Sequence, residues 1–245
     1  MRYLPNGKQM SEADAHTIHE IGIPSLVLME RAALQIVETM HKKNISTEKS
    51  LIVCGSGNNG GDGFAVARLL TEQGKHADVL FAGKEASLSE ECRCQKQIVE
   101  NMGISVFTEF PDEEYTVIID AVFGVGLCRE ITEHYKDVID WMNLQDAEKV
   151  AVDIPSGICA ATGKILGTAF RADLTVCMAC AKLGCELFPG KSYAGESIPV
   201  AIGIDPKYFS NRLDVCYTFD KNDLGKLLPS RMMNSHKGSY GKVLM

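Results

Sequence analysis

From residue 50 onward the chain alternates short apolar runs with helix-like segments, and this alternation limits the fold more than any other feature. The runs are SLIVCG (50–55), HADVLFAG (76–83), ISVFTE (104–109), TVIIDAVFG (116–124), KVAVDIPSG (149–157), ADLTVCMAC (172–180) and SIPVAIGI (197–204). Between them lie segments such as FAVARLLTEQG, SEECRCQKQIVENMG and EHYKDVIDWMNLQ. Continuous apolar strands joined by crossover helices imply a mostly parallel sheet covered on both faces, so a doubly wound α/β domain is expected. Its ligands should sit beyond the carboxyl ends of the strands.

Two helices are expected ahead of the alternation. Ser11 caps the first, with Asp14 completing a capping box, and it runs to about Ile21 before Gly22 and Pro24 break the chain. The second, SLVLMERAALQIVETMHKK, carries a Lys pair in its last turn, where cations suit the helix dipole. Residues 1–210 are expected as one domain and 211–234 as a connector. The final KVLM follows HKGSYG and reads as the opening of another strand, so 235–245 is expected to begin a second domain.

Composition excludes several classes. A net charge of −7 argues against sequence-independent nucleic-acid binding, which needs a basic face. No stretch approaches the ~18–20 apolar residues of a membrane helix, and the start, MRYLPNGKQMSEADAH, lacks a signal-peptide core. Nine cysteines, an odd number, fit a reducing compartment better than a disulfide framework, so a cytoplasmic protein is expected.

The chemistry concentrates at three turns. Gly55-Ser56-Gly57-Asn58-Asn59-Gly60-Gly61-Asp62-Gly63 contains G-x-G-x-x-G between the first apolar run and a helix expected near Phe64. Such glycines let backbone amides approach a pyrophosphate. A dehydrogenase also needs an acidic residue ending the second strand; Glu85 lies slightly late, and Gly61-Asp62-Gly63 are extra. No G-K-[ST] follows, which excludes a P-loop. Asp120 and Asp153 each end an apolar strand before a glycine turn, so both carboxylates are expected in one crevice with the Asn-rich loop. That donor set favours hard cations such as potassium, sodium or magnesium over zinc; either Asp alone also fits a helix or turn cap.

Other signals are weaker. Cys177 and Cys180 have zinc-ribbon spacing, but they lie in a strand with no second C-x-x-C, so they read as core. His16 and His19 share a polar helix face, and no G-x-S-x-G elbow exists. Lys182, just past a strand end, reads either as a cation for a phosphate or a proton donor, or as an ordinary surface lysine.

Together EIGIPSLVLMERAA, GSGNNGGDGFAVAR, DAVFGVGLCR, VDIPSG and AKLGCELFPG resemble, in order and spacing, the YjeF N-terminal domain family of NAD(P)H-hydrate epimerases. The resemblance implies a Rossmann-like three-layer sandwich that interconverts the R and S epimers of hydrated NADH or NADPH, NAD(P)HX. It implies substrate contacts from Asn58, Asn59, Gly60, Gly61, Asp62, Gly124, Val125, Gly126, Leu127, Cys128, Arg129, Glu130 and Asp153, and a potassium ion (K+) on Asn59, Asp120 and Ser156. A homo-oligomer is expected. Ser235-His236-Lys237-Gly238-Ser239-Tyr240-Gly241-Lys242-Val243 resembles the entry to a ribokinase-like, ADP-dependent dehydratase domain, which implies a bifunctional protein using ADP in that half. Arg31 and Cys128 depart from the family's usual choices. Epimerisation needs a proton donor and acceptor, for which Asp120 is the expected catalytic residue with Lys182 assisting, in tension with a metal-ligand role for Asp120.

Overall fold

In a computed structural model, residues 1–227, 232–236 and 238–239 are described. The expected tail domain falls largely outside them, since Lys237 and 240–245 are not described. Each apolar run forms a strand: β2 (Lys49–Cys54), β3 (His76–Phe81), β4 (Val106–Phe107), β5 (Val117–Ala121), β6 (Glu148–Val152), β7 (Leu174–Met178) and β8 (Glu196–Val200). They make one parallel sheet of order β4-β3-β2-β5-β6-β7-β8. Sequence order reverses between β2 and β5, which makes the gap beyond Cys54 and Ala121 the switch point.

Strand alternation sorts side chains onto two cores. Ile52, Cys54, Ile119, Ala121, Val150 and Val152 face α1 (Gly7–His16), α2 (Ser25–Lys42), α3 (Asn58–Glu72) and α4 (Glu90–Asn101). Leu51, Val53, Ile118 and Ala151 face α5 (Glu133–Leu144) on the other side. This is the expected three-layer α/β sandwich. Short helices α6 (Leu183–Glu186) and α7 (Gly190–Ala194) join β7 to β8.

Three expectations are corrected. Helix α1 starts at Gly7, capped by Asn6: Gln9 N–H donates to Asn6 Oδ1 (3.0 Å) and Asn6 N–H to Gln9 Oε1 (2.9 Å). Ser11 instead lies inside the helix, bonded to Gly7 O. A π turn over Thr17–Ile21 then ends at left-handed Gly22 (φ +86°). Helix α3 begins at Asn58 rather than near Phe64, so the glycine-rich segment is itself helix. The segment expected as a connector contains β9 (Cys216–Thr218), paired antiparallel with β1 (Arg2–Leu4), and is followed by α8 (Lys221–Leu227). Arg212 pairs with Glu12 of α1 (2.6 Å), and Gln9 Nε2 donates to Asp214 O (2.7 Å), so this segment holds α1 in place.

Among the described residues no helix is long and apolar enough to cross a membrane. All nine cysteines are free thiols; Cys177 and Cys180 are buried in the core.

Candidate active site

A cleft of about 510 Å³ opens at the switch point. Its floor is the amino end of α3, whose cap residue Gly57 is extended. One wall is the loop after β5, residues 122–129, and the other is α1 and α2 with Met178, Ile202 and Ile204. A helix amino end presents free N–H groups and a partial positive charge, a natural seat for a phosphate.

Of the expected substrate contacts, Asn58, Asn59, Asp62, Gly124, Val125, Gly126, Leu127, Cys128, Arg129 and Asp153 line this cleft. Gly60, Gly61 and Glu130 are not part of its wall. Gly60 serves packing: a Cβ there would stand 2.0 Å from Gly55 O, so only glycine lets α3 approach the end of β2. Gly61 is turned to Met29 and Cys92, and Glu130 is exposed to solvent.

Asp120 departs furthest from expectation. It lies between Ile119 and Ala121, which face α1–α4, so strand alternation turns it to the side of Ile118 and Val122. It is fully buried and absent from the cleft wall. Its carboxyl accepts from Ser156 N–H (2.7 Å), Ser156 Oγ (2.6 Å) and Val122 N–H (3.2 Å). Burial raises its pKa to about 6, against the lowering by these hydrogen bonds. Asp120 therefore ties the loops after β5 and β6 together, and it lies behind the cleft wall rather than on it, where the strand-end pattern predicts it. Ser156 extends the link by accepting from Phe123 N–H (2.8 Å).

Asn59 lies against the same turn, with its Oδ1 3.3 Å from where a Gly124 Cβ would stand, and its buried Nδ2 has no hydrogen-bond partner. Asn59, Asp120 and Ser156 thus gather around residues 122–124 as an all-oxygen donor set, chemistry that suits a hard cation.

Lys182 is also not on the cleft wall, and the surface reading fails with it: the side chain is fully buried. Its ammonium donates to Asp153 Oδ1 and to Met178 O (2.8 Å), while Met178 N–H donates to the same Asp153 oxygen (2.9 Å). Burial works against the charge on Lys182, and Asp153 more than offsets it, leaving the pKa above the ordinary lysine value. Asp153 itself takes a left-handed φ of +69°, uncommon for a residue with a Cβ, so the chain turns sharply after β6.

Sequence reasoning missed part of the wall. Asp14 is on it, although read as a helix cap; the shifted start of α1 puts it about two turns in. Met10, Leu28 and Met29 line it from α1 and α2, helices recognised only as amphipathic. Ile202 and Ile204 were part of an expected strand, but β8 stops at Val200 and frees them to line the cleft. These apolar groups oppose the polar loop and suit a planar ring.

The family model described as YjeF-related protein N-terminus matches residues 25–184, which span α2 through the first residues of α6 and most of the cleft. The NAD(P)H-hydrate epimerase of Oenococcus oeni is 41% identical over 201 residues, covering 81% of this chain and 96% of that protein. The protein of the same name from Limosilactobacillus reuteri is 43% identical, covering 80% and 93%. The crystal structure of yeast ynu0, YNL200c, is similar in fold, with a TM-score of 0.69 at 18% identity, covering 88% of this chain and 99% of that one. On this evidence the chain belongs to the YjeF-related N-terminal domain family.

Proposed function

We propose that this protein is an NAD(P)H-hydrate epimerase, interconverting the R and S forms of hydrated NADH and NADPH. The observation that carries the reading is the near full-length match to relatives of that name, with the matched segment building the switch-point cleft. The cleft suits the substrate class. The α3 amino end offers N–H groups to a diphosphate, and Asn58, Asn59, Arg129 and the 124–128 loop offer polar and backbone contacts. Met10, Leu28, Met29, Ile202 and Ile204 offer an apolar seat for the reduced ring.

A potassium ion belongs to the same reading, held by Asn59, Asp120 and Ser156. When bound it would supply positive charge to the oxygen donors that gather around the 122–124 turn. The chain's own residues orient the nucleotide against that turn and exclude water from the apolar wall. Coupling to an ADP-dependent dehydratase rests on the resemblance of the segment from Ser235 to Val243. A cytoplasmic setting is supported by nine free thiols; a homo-oligomer is an additional inference, checked by light scattering.

Incubating the protein with pure R epimer and following the appearance of the S form by chromatography tests the function. Conversion faster than in buffer supports the reading, and a rate equal to buffer overturns it.

A further inference from the structure

Three carboxyl groups from three elements converge on the cleft: Asp14 of α1, Asp62 of α3 and Asp153 after β6. Their surroundings differ. Asp153 faces the buried Lys182 ammonium, and both that bond and the one from Met178 N–H fall on Oδ1. Its other oxygen, Oδ2, accepts no hydrogen bond from the described residues. Asp62 has no salt-bridge or hydrogen-bond partner among the described residues. Burial raises its affinity for a proton, the charges of Asp153 and Asp14 raise it further, and Lys182 opposes them, so it is held well above the usual carboxylate range. Asp14 is raised as well, by burial first and then by Asp153 and Glu91, against His19. Asp62 stands on the cleft wall, unpaired among the described residues, while Asp153 is held by Lys182 and Met178, and carboxyl groups in environments this different divide naturally into an acid and a base.

Building on the epimerase reading, we propose that Asp62 and Asp153 are the catalytic acid and base, and that Lys182 is the positioning residue that holds Asp153. The substrate carbon carries a hydroxyl next to a ring nitrogen. Asp62 gives its proton to that hydroxyl, the C–O bond breaks, and water leaves while the nitrogen lone pair forms a C=N bond. The carbon is then planar. Water adds to the opposite face, the C=N electrons return to nitrogen, and the added water gives a proton to Asp153. One proton has been given and one received, one water lost and one gained, and nothing is oxidised or reduced. The two carboxyl groups recover their starting protonation by exchange with water in the open cleft.

Asp14 is the third member. Its charge bears on both Asp62 and Asp153, so the carboxyl cluster is assembled from α1, α3 and the turn after β6, elements far apart in the chain. The groups whose charge bears on Asp62 are Asp153, Asp14 and Lys182; the nearby thiols Cys92 of α4 and Cys54 of β2 are themselves pushed up, Cys92 to about 12.

The test uses the whole chain, pure R epimer and heavy-oxygen water. Asn is the neutral isostere of a protonated Asp, so Asp62→Asn is expected to melt at or above the wild-type temperature. It should bind the S epimer within about threefold of wild type yet lose about 10²–10⁴ in kcat. A protonated-carboxyl band in the infrared spectrum at neutral pH should vanish in the same variant. Wild type should place solvent oxygen in the product hydroxyl at the rate of epimerisation. For Lys182→Met, the acid limb of the kcat profile should move to higher pH, because Asp153 loses its counter-ion, a shift that a merely structural lysine would not cause. Overturning results are a kcat for Asp62→Asn within about threefold of wild type, a large drop in its melting temperature, or epimerisation without oxygen exchange. If wild type converts the epimer but Asp62→Asn converts it equally well, only this assignment falls; if wild type fails to convert it, the epimerase reading falls too.

Discussion

Lys182 and Asp153 form an ion pair beneath the cleft, with the lysine fully buried and the aspartate on the wall. The pair joins the end of β7 to the end of β6, and Met178 serves it from both its carbonyl and its N–H. A buried pair of this kind adds little net stability over an apolar pair, but removing one partner strands the other charge.

Replacing Lys182 with Met should therefore cost about 3–5 kcal/mol, because Asp153 is left unpaired in a largely buried position. Urea denaturation monitored by far-UV circular dichroism measures the loss. The double variant Lys182→Met with Asp153→Asn should recover part of it, since no unpaired charge then remains.

Potassium should raise the melting temperature in a manner specific to the ion and to its donors. At a hundredfold excess over its dissociation constant, a ligand that binds only the native state adds about 2.7 kcal/mol. Thermal shifts in potassium chloride, compared with choline chloride at equal ionic strength, read this directly. Asn59→Ala and Ser156→Ala should each abolish the difference between the two salts.

Gly60→Ala should destabilise the fold by about 1–3 kcal/mol, the usual range for overpacking. The added methyl would meet the Gly55 carbonyl, which is backbone and cannot rotate away. Relief requires the amino end of α3 to shift from β2, so nucleotide affinity should fall along with stability. Chemical denaturation and calorimetric titration with NADPH check the two effects.

Asn6→Ala removes the cap of α1 and should cost about 1 kcal/mol. The measurement is again a denaturation midpoint. Because α1 carries Asp14, Met10 and Ser11 to the cleft, the same change should weaken substrate binding although Asn6 is not on the main cleft wall.

The pH dependence of stability follows from Asp62. The unfolded chain releases this proton in the ordinary carboxylate range, whereas the native state holds it to higher pH because of burial and two neighbouring acids. Native protein binds more protons across that window, so this group makes stability fall as pH rises. Asp62→Asn should flatten that part of the curve, and urea midpoints measured from pH 4 upward would show it.

Much of the sheet was legible because a buried parallel strand is apolar on both faces. All seven runs became parallel neighbours, and the reversal of order between β2 and β5 put the cleft where such sheets place ligands. Boundaries were less legible. The start of α3 was misjudged because Gly60, Gly61 and Gly63 have poor helix propensity. Packing against β2, β5 and α4 overrides that cost, and glycine is what permits the close approach. Strand β1 went unseen since a three-residue strand has no readable period; its partner lies more than two hundred residues away.

By itself the sequence determined the α/β class, the order of strands and helices, the motif set and the three turns that carry the chemistry. Those are local properties, written in hydrophobic period and turn residues. Only the tertiary structure decided which side chains share the cleft. Asp120 and Asp153 both end strands before glycine turns, yet strand alternation and three hydrogen bonds bury Asp120 behind the loops, while the left-handed turn at Asp153 leaves it on the wall. Lys182 likewise passes from a possible surface residue to the buried partner of Asp153, and Asp14 from a cap to a cleft acid, because burial and long-range pairing depend on how distant elements pack.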